Sequence, residues 1–292
     1  EGYRGDFRLP TPRSSRKPKA LDAIGADGFS KGDTMNLRDS VIIVTGSATG
    51  LGAAIVKQVA GKGARVVINY TKSEKEAHET EAVCDYLGVE SLLCKADISS
   101  DEDCRRLAAE AMEKWGRIDG LVNNAARSVF ANNNDLETLT GQDFMDVYSV
   151  NVVGTYQMTR AAAPHMKAQG NGSIVNVSSI SALTGAGSSI AYAASKGALN
   201  TMTTSLSRAL APEIRVNAVL PGAFPSRWWA AGLGEEGAKN LFEKFTAQVP
   251  LKSVADPESV ARTVVWLLED AGFITGEMIK IDAGMHLLGF QP

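Results

Sequence analysis

Metal-binding and disulfide-forming residues are scarce in this sequence. Of 292 residues only three are cysteine and three are histidine. Cys84, Cys94 and Cys104 are odd in number and form no C-x-x-C pair. Neither a disulfide frame nor a zinc site is expected, and the three read as reduced thiols in a cytoplasmic protein. His78, His165 and His286 are scattered, with no H-E-x-x-H, so no metal chemistry is expected. No apolar run is long enough to span a bilayer. The formal net charge is only −3, which gives no ground for nucleic-acid binding. No internal repeat or low-complexity block is visible. What remains is an ordinary globular composition, 44% hydrophobic and 22% charged.

Residues 1–35 differ from the rest. They mix Arg4, Arg8, Arg13, Arg16, Lys17 and Lys19 with Pro10, Pro12 and Pro18 and show no helical or strand period. They read as a flexible arm. A secretory signal would need an apolar centre, and a transit peptide would avoid acids such as Asp6, Asp22, Asp27 and Asp33. The folded domain is expected over residues 36–292.

From Val41 the chain alternates strand and helix. Val41-Ile42-Ile43-Val44 is a β-branched run suited to a strand buried on both faces. It runs into Thr45-Gly46-Ser47-Ala48-Thr49-Gly50-Leu51-Gly52, and a helix follows to about Lys62. A strand, a glycine-rich turn and a helix N-terminus together form a pyrophosphate cradle. A second strand, Ala64 to Tyr70, ends in Asn69-Tyr70-Thr71-Lys72. No carboxylate stands there to bind a ribose 2′-hydroxyl or repel a 2′-phosphate, and Lys72 can pair with a phosphate. NADP(H) is therefore expected over NAD(H). A merely solvated loop lysine is the plain alternative. Ser73 and Glu76 have capping-box spacing at the head of the next helix. Asp97 ends the third strand, Leu92 to Asp97. It can accept from an adenine amino group, or simply shape the turn. Ser100 and Asp103 cap the next helix, which runs to Trp115.

The fourth strand exits through Asn123-Asn124-Ala125-Ala126, where the paired Asn can lock neighbouring strands. Helix-like sequence runs from Gly141 to Gln169, with Asn151 unusually in its middle, where a satisfied buried asparagine is the plain alternative to a functional one. Ser173 to Ser178 is a fifth strand that delivers Ser179. Tyr192 and Lys196 stack four apart on the helix that follows. A phenol beside an ammonium is a tunable acid, and the cation is expected to lower the phenol's pKa. By itself this pair also fits a partly solvated helix face. A sixth strand, Ile214 to Leu220, ends in Pro221-Gly222. Residues 223–250 then break the rhythm with Phe224, Trp228, Trp229, Phe242 and Phe245, and read as a substrate lid. Asp256-Pro257 starts the last helix, and Met278 to Asp282 is a seventh strand. The alternation predicts an α/β fold: a single doubly wound Rossmann-type domain with a seven-stranded parallel sheet flanked by helices. The singled-out residues fall at strand C-terminal ends, where such folds bind ligands.

Taken in order, Thr45-Gly-x-x-x-Gly50-x-Gly52, Asp97, Asn123-Asn124-Ala125, Asn151, Ser179, Tyr192-x-x-x-Lys196 and Pro221-Gly222 resemble the short-chain dehydrogenase/reductase family from about residue 37 onward. The resemblance implies hydride transfer between a nicotinamide cofactor and a carbonyl or secondary alcohol. Tyr192 would be the acid/base and Lys196 would tune it and hold the nicotinamide ribose. Ser179 would bond the substrate oxygen, and Asn151 would position a water relay to Lys196. Cofactor contacts would come from Gly46, Ser47, Thr49, Gly50, Leu51 and Gly52, from Asn69 to Lys72, and from Asp97 and Ile98. Asn124, Ala125, Ala126, Tyr192, Lys196, Pro221, Gly222 and Phe224 would complete them. Arg127, Trp228 and Trp229 would meet a small-molecule carbonyl or alcohol substrate. The likeness further implies a homotetramer or homodimer built by the helices carrying Asn151 and Tyr192.

Two departures stand out. Ala126 replaces the usual glycine, and the usual terminal Asp-Gly-Gly is Asp282-Ala283-Gly284. The 3-oxoacyl-carrier-protein reductases are the nearest branch, yet Ser128 to Leu136 offers no basic residue to an acidic carrier. The turn Asn69 to Ser73 is similar to that of NADP(H)-using carbonyl and pteridine reductases. The competing reading is a non-catalytic dinucleotide sensor or scaffold. Against it stands the intact set Asn151, Ser179, Tyr192 and Lys196. An epimerase or dehydratase would want a larger C-terminal substrate domain.

Overall fold

The computed structural model describes residues 35–288. The expected arm lies outside them, apart from Met35, which is buried against the core. Seven strands form one parallel sheet: β1 (Val41–Val44), β2 (Arg65–Tyr70), β3 (Ser91–Lys95), β4 (Gly120–Asn123), β5 (Gly172–Val177), β6 (Ile214–Pro221) and β7 (Met278–Ile281). Their order is β3-β2-β1-β4-β5-β6-β7, with every neighbouring pair parallel. The order reverses between β1 and β4, which opens a crevice at their C-terminal ends.

The β-branched runs become strands because both of their faces are covered. Ile42 and Val44 pack with α1 (Gly50–Gly61), α2 (Glu74–Tyr86) and the last helix on one side. Ile43 packs against Leu107, Leu121, Met158 and Ile174 on the other. Complete burial of each such side chain contributes about 1.5–3 kcal/mol.

The remaining helices are α3 (Asp101–Trp115), α4 (Gly141–Tyr148), α5 (Thr155–Gln169), the single turn α6 (Ser181–Thr184), α7 (Ile190–Leu210), α8 (Arg227–Gln248) and α9 (Pro257–Glu269). Two expected caps form: Ser100 accepts from the Asp103 N–H, and Asp256 from the Ser259 N–H ahead of Pro257. The Ser73 capping bond does not form. Glu76 turns away across the crevice and pairs with Arg227 at 2.9 Å.

The helix expected from Gly141 to Gln169 is interrupted. Ser149–Gly154 adopts a π-helical turn between α4 and α5. Asn151 lies in this turn, and such bulges recur at functional sites. Within the segment that breaks the strand–helix rhythm, residues 227–248 are helical, with a break at Gly234, whose φ is +74°. Among the described residues no helix is long and apolar enough to cross a membrane.

Candidate active site

A cleft of about 1790 Å³ runs along the C-terminal ends of the strands. Gly46, Thr49, Gly50 and Leu51 line one end together with Asn69, Tyr70, Thr71 and Lys72. Asp97, Ile98, Asn124, Ala125 and Ala126 line the middle. Ser179, Tyr192, Lys196, Pro221, Gly222, Phe224, Trp228 and Trp229 line the far end.

The glycine turn is braced from below. Gly46 has φ +60°, and a Cβ there would stand 2.9 Å from the Ala125 Cα. Its N–H donates to Asn69 Oδ1 at 2.9 Å. Asn69 Nδ2 donates in turn to the carbonyls of Cys94 and Ala96. Asn69 is thus a buried strut joining β1, β2 and β3. Asn124 Nδ2 ties down the carbonyls of Thr45 and Gly46. Thr45 Oγ1 accepts from the N–H groups of Asn124 and Ala125. The paired asparagines do lock strands, since Asn123 Nδ2 donates to Asn176 Oδ1 on β5.

Two expected cofactor contacts, Ser47 and Gly52, and one expected catalytic residue, Asn151, do not line the cleft. Ser47 is fully buried, its Oγ donating to the Val44 carbonyl and accepting from the Asn69 N–H. Gly52 faces the turn itself, where a Cβ would stand 2.4 Å from the Gly46 carbonyl oxygen. Both shape the cradle from behind. Asn151 is 0% exposed. Its Oδ1 accepts from the Arg127 N–H, and its Nδ2 donates to the Arg127 carbonyl and to Ser195 Oγ. These bonds fix the segment after β4 to α7. Asp97 Oδ1 accepts from the N–H and hydroxyl of Ser99, the turn geometry weighed in the sequence, while the residue still borders the cleft.

Local structure aims the far end. Ser189 caps α7 by accepting from the Tyr192 N–H, which puts Tyr192 in the first turn. Lys196 lies one turn on, almost completely buried, and Nζ donates to the Val177 carbonyl at 2.8 Å. That nitrogen is 5.6 Å from the centre of the Tyr192 ring. Ser179 follows β5, and its hydroxyl accepts from the Ser181 N–H and donates to Ser181 Oγ.

The electrostatics differ from the sequence expectation. Burial pushes the Tyr192 phenol up to about 12, with the Ser179 hydroxyl pulling the other way. Burial also pushes Lys196 down to about 7. The lysine was expected to lower the phenol's pKa; burial raises it instead, and the opposing pull comes from the Ser179 hydroxyl. The ammonium spends a proton on Val177 and is itself held near neutrality. At neutral pH Tyr192 is therefore a protonated donor.

Some site residues were missed in the sequence. Phe130 packs against Trp228 with ring centres 4.7 Å apart. His286 borders the cleft, its Nδ1 2.7 Å from the buried Asp282. The Asp-Ala-Gly departure places Ala283 at φ +55°, a conformation glycine adopts without strain. Arg227 and Lys57 also border the cleft. The guanidinium of Arg127 is already committed to Asp146 at 2.5 Å.

Comparison with known proteins bears on this arrangement. A family profile described as enoyl-(acyl carrier protein) reductase matches residues 46–286. A Streptomyces violaceoruber protein named "Granaticin polyketide synthase putative ketoacyl reductase 2" is 38% identical over 248 residues, covering 85% of this chain and 96% of that protein. The crystal structure of "a putative short-chain dehydrogenase/reductase from Burkholderia xenovorans" matches with a TM-score of 0.80 at 39% identity, covering 86% of this chain and 99% of that one. NAD+-bound xylitol dehydrogenase matches with a TM-score of 0.79 at 28% identity, covering 86% of this chain and 100% of that one.

Proposed function

This chain belongs to the short-chain dehydrogenase/reductase family and is an NAD(P)-dependent oxidoreductase of carbonyl and alcohol substrates, and from that premise we propose that it is an NADP(H)-preferring ketone reductase with Tyr192 as proton donor. The observation that carries this reading is the convergence of Ser179, Tyr192 and Lys196 on one cleft with the glycine cradle.

The cradle fits a dinucleotide pyrophosphate. A Cβ at Gly50 would have nothing within 4 Å, so the backbone there is open to a ligand. The Thr49 side chain makes no capping bond, which leaves the α1 N-terminus to bind an anion. Thr49, Gly50 and Leu51 would hold the pyrophosphate, and Asn124 to Ala126 with Pro221 and Gly222 would flank the nicotinamide. The bound nicotinamide supplies or accepts the hydride.

The chain's own residues handle the proton and the geometry. The Ser179 hydroxyl turns from Ser181 Oγ to donate to the carbonyl oxygen and orient it. Tyr192, protonated at neutral pH, gives that oxygen its proton during reduction and takes it back during oxidation. Lys196 uses one donor on Val177, and its others can reach the nicotinamide ribose and stabilise charge that builds on the phenol oxygen. Asn151 is a positioning residue, holding the Arg127 segment and α7 in register. Helix α8 serves as the lid, and the Arg227–Glu76 pair ties it across the cleft to α2.

The NADP(H) preference rests on Lys72. It is exposed at the rim beside Thr71, where a 2′-phosphate would lie. Of the two α2 carboxylates that border the cleft, Glu76 and Glu79, Glu76 is paired with Arg227, which also holds its pKa down. Oxidation of NADPH and of NADH would be followed against a panel of ketones, aldehydes, oxoacyl thioesters and enoyl thioesters. Faster turnover with NADPH on a carbonyl class is the expected result. Lys72→Ala should then raise the KM for NADPH about five- to tenfold and leave that for NADH within twofold. Equal losses for both would remove the basis for the preference.

Self-association through α4 and α5 accompanies this reading. Met145, Val153 and Tyr156 are large apolar side chains left exposed along them. Sedimentation should give a dimer or tetramer for the wild type and a smaller species for Met145→Glu with Tyr156→Glu. An unchanged mass for that variant would place the contact elsewhere.

A further inference from the structure

We infer that the far end of the cleft is a slot for a planar, uncharged aromatic ketone, with Trp228 as the residue that selects it. This rests on the reading of Tyr192 as the group that meets the substrate oxygen.

A continuous series of aromatic contacts extends from Tyr192. Its ring centre is 5.9 Å from Trp228 at an interplanar angle of 44°. Trp228 lies 4.8 Å from Trp229, nearly perpendicular to it, and Trp229 continues to Phe242. Trp228 and Trp229 both line the cleft and remain only half-buried. Rings that merely filled a core would be covered. These present apolar surface to the space beside the reacting phenol, where tilted and edge-on partners are favoured.

The slot is held rigid from behind. Phe130 packs on Trp228 and also lies against the backbone of α8 at Gly232. A Cβ at Gly232 would stand 2.3 Å from the Phe130 ring, so only glycine lets the ring approach so closely. The Phe130 segment is itself pinned, since the Ala131 N–H donates to the Ser188 carbonyl just before α7. Trp228 is thus locked in position relative to Tyr192 by contacts from both directions. A preorganised flat wall suits a flat ligand better than a flexible chain.

Charge supports the same class. The arginines bordering this part of the cleft are already paired, Arg127 with Asp146 and Arg227 with Glu76. His286 is held by the Asp282 carboxylate. An anionic substrate would have to break one of these pairs, whereas a neutral ring system would not.

The test compares two bicyclic ketones of equal carbon count, aromatic 1-tetralone and alicyclic 1-decalone, as kcat/KM with NADPH. Their intrinsic reactivities differ, so the measured quantity is how the tetralone/decalone ratio changes between wild type and variant. Trp228→Ala should lower that ratio about five- to tenfold, mostly through the KM for 1-tetralone, and Trp228→Phe should restore most of it. Calorimetric binding of 1-tetralone to the NADP+-loaded protein supplies a readout without turnover, and Trp228→Ala should weaken it by a similar factor. An unchanged ratio in both variants, with ketones still reduced, would overturn the slot and leave the reductase reading intact. Tight 1-tetralone binding that depends on Trp228, without reduction of any ketone, would support the slot and overturn the reductase reading.

Discussion

Replacing Tyr192 by phenylalanine should abolish ketone reduction, lowering kcat by about a thousandfold or more, while cofactor affinity changes less than threefold. The size follows from the role assigned to the hydroxyl. General acid catalysis by a positioned group contributes about 10²–10⁴-fold. In the proposed mechanism Tyr192 delivers this proton, and burial keeps its phenol protonated at neutral pH. The ring itself stays. Its contact with Trp228 and its place in the first turn of α7 do not depend on the oxygen. Cofactor affinity therefore reports on the cradle and turnover on the proton. Single-turnover reduction and calorimetric binding of NADPH separate the two. A variant that turns over at close to the wild-type rate would remove Tyr192 from the mechanism.

Lys196→Met should cost at least a hundredfold in activity and raise thermal stability. Lys196 is the largest of the fully buried side chains, and burial alone pushes its pKa down to about 7. An unfolded lysine titrates near 10.4. Between these values the unfolded chain binds more protons than the native one, so wild-type stability rises with pH across that window. The penalty is fully present below pH 7 and vanishes as pH rises through about 10. Methionine has a similar unbranched shape and carries no charge to desolvate. It loses the bond to the Val177 carbonyl, a cost of about 1 kcal/mol. The desolvation it removes is on the order of a few kcal/mol. The variant should melt several degrees higher at pH 6 to 7, with the gap to wild type closing toward pH 10. A lower melting temperature at pH 7 would mean that the ammonium supports the fold.

These two residues mark where reading the sequence stops being enough. The sheet was legible because Val41 to Val44 and Val66 to Ile68 are β-branched runs bounded by turn residues, and Ile174 to Val177 is one broken only by Asn176. Parallel strands buried on both faces need little else. The position of the cleft followed from that topology, and with it Gly46, Asn124, Ser179, Tyr192 and Pro221. The electrostatics of Tyr192 did not follow. A four-residue spacing gives adjacency, but the sign of the pKa shift depends on how much water the fold removes. The π-helical turn around Asn151 left no local mark beyond an asparagine out of place. Glu76 has the spacing of a cap but pairs instead with Arg227, 151 residues away. Phe130 and Gly232 are a contact between distant segments, and each alone is an unremarked residue in a loop or helix. The helical state of residues 227–248 was not legible, because Gly232, Gly234 and Gly237 interrupt the apolar pattern.

The most direct test of the account is the fate of the hydride. A ketone accepted by the wild-type enzyme would be reduced with NADPH carrying deuterium at the transferable nicotinamide position, and the product alcohol analysed by mass spectrometry. The account predicts one deuterium on the carbinol carbon, with transfer abolished in Tyr192→Phe although that variant still binds the cofactor. Alcohol formed without the label, or labelled alcohol formed at an undiminished rate by Tyr192→Phe, would contradict it.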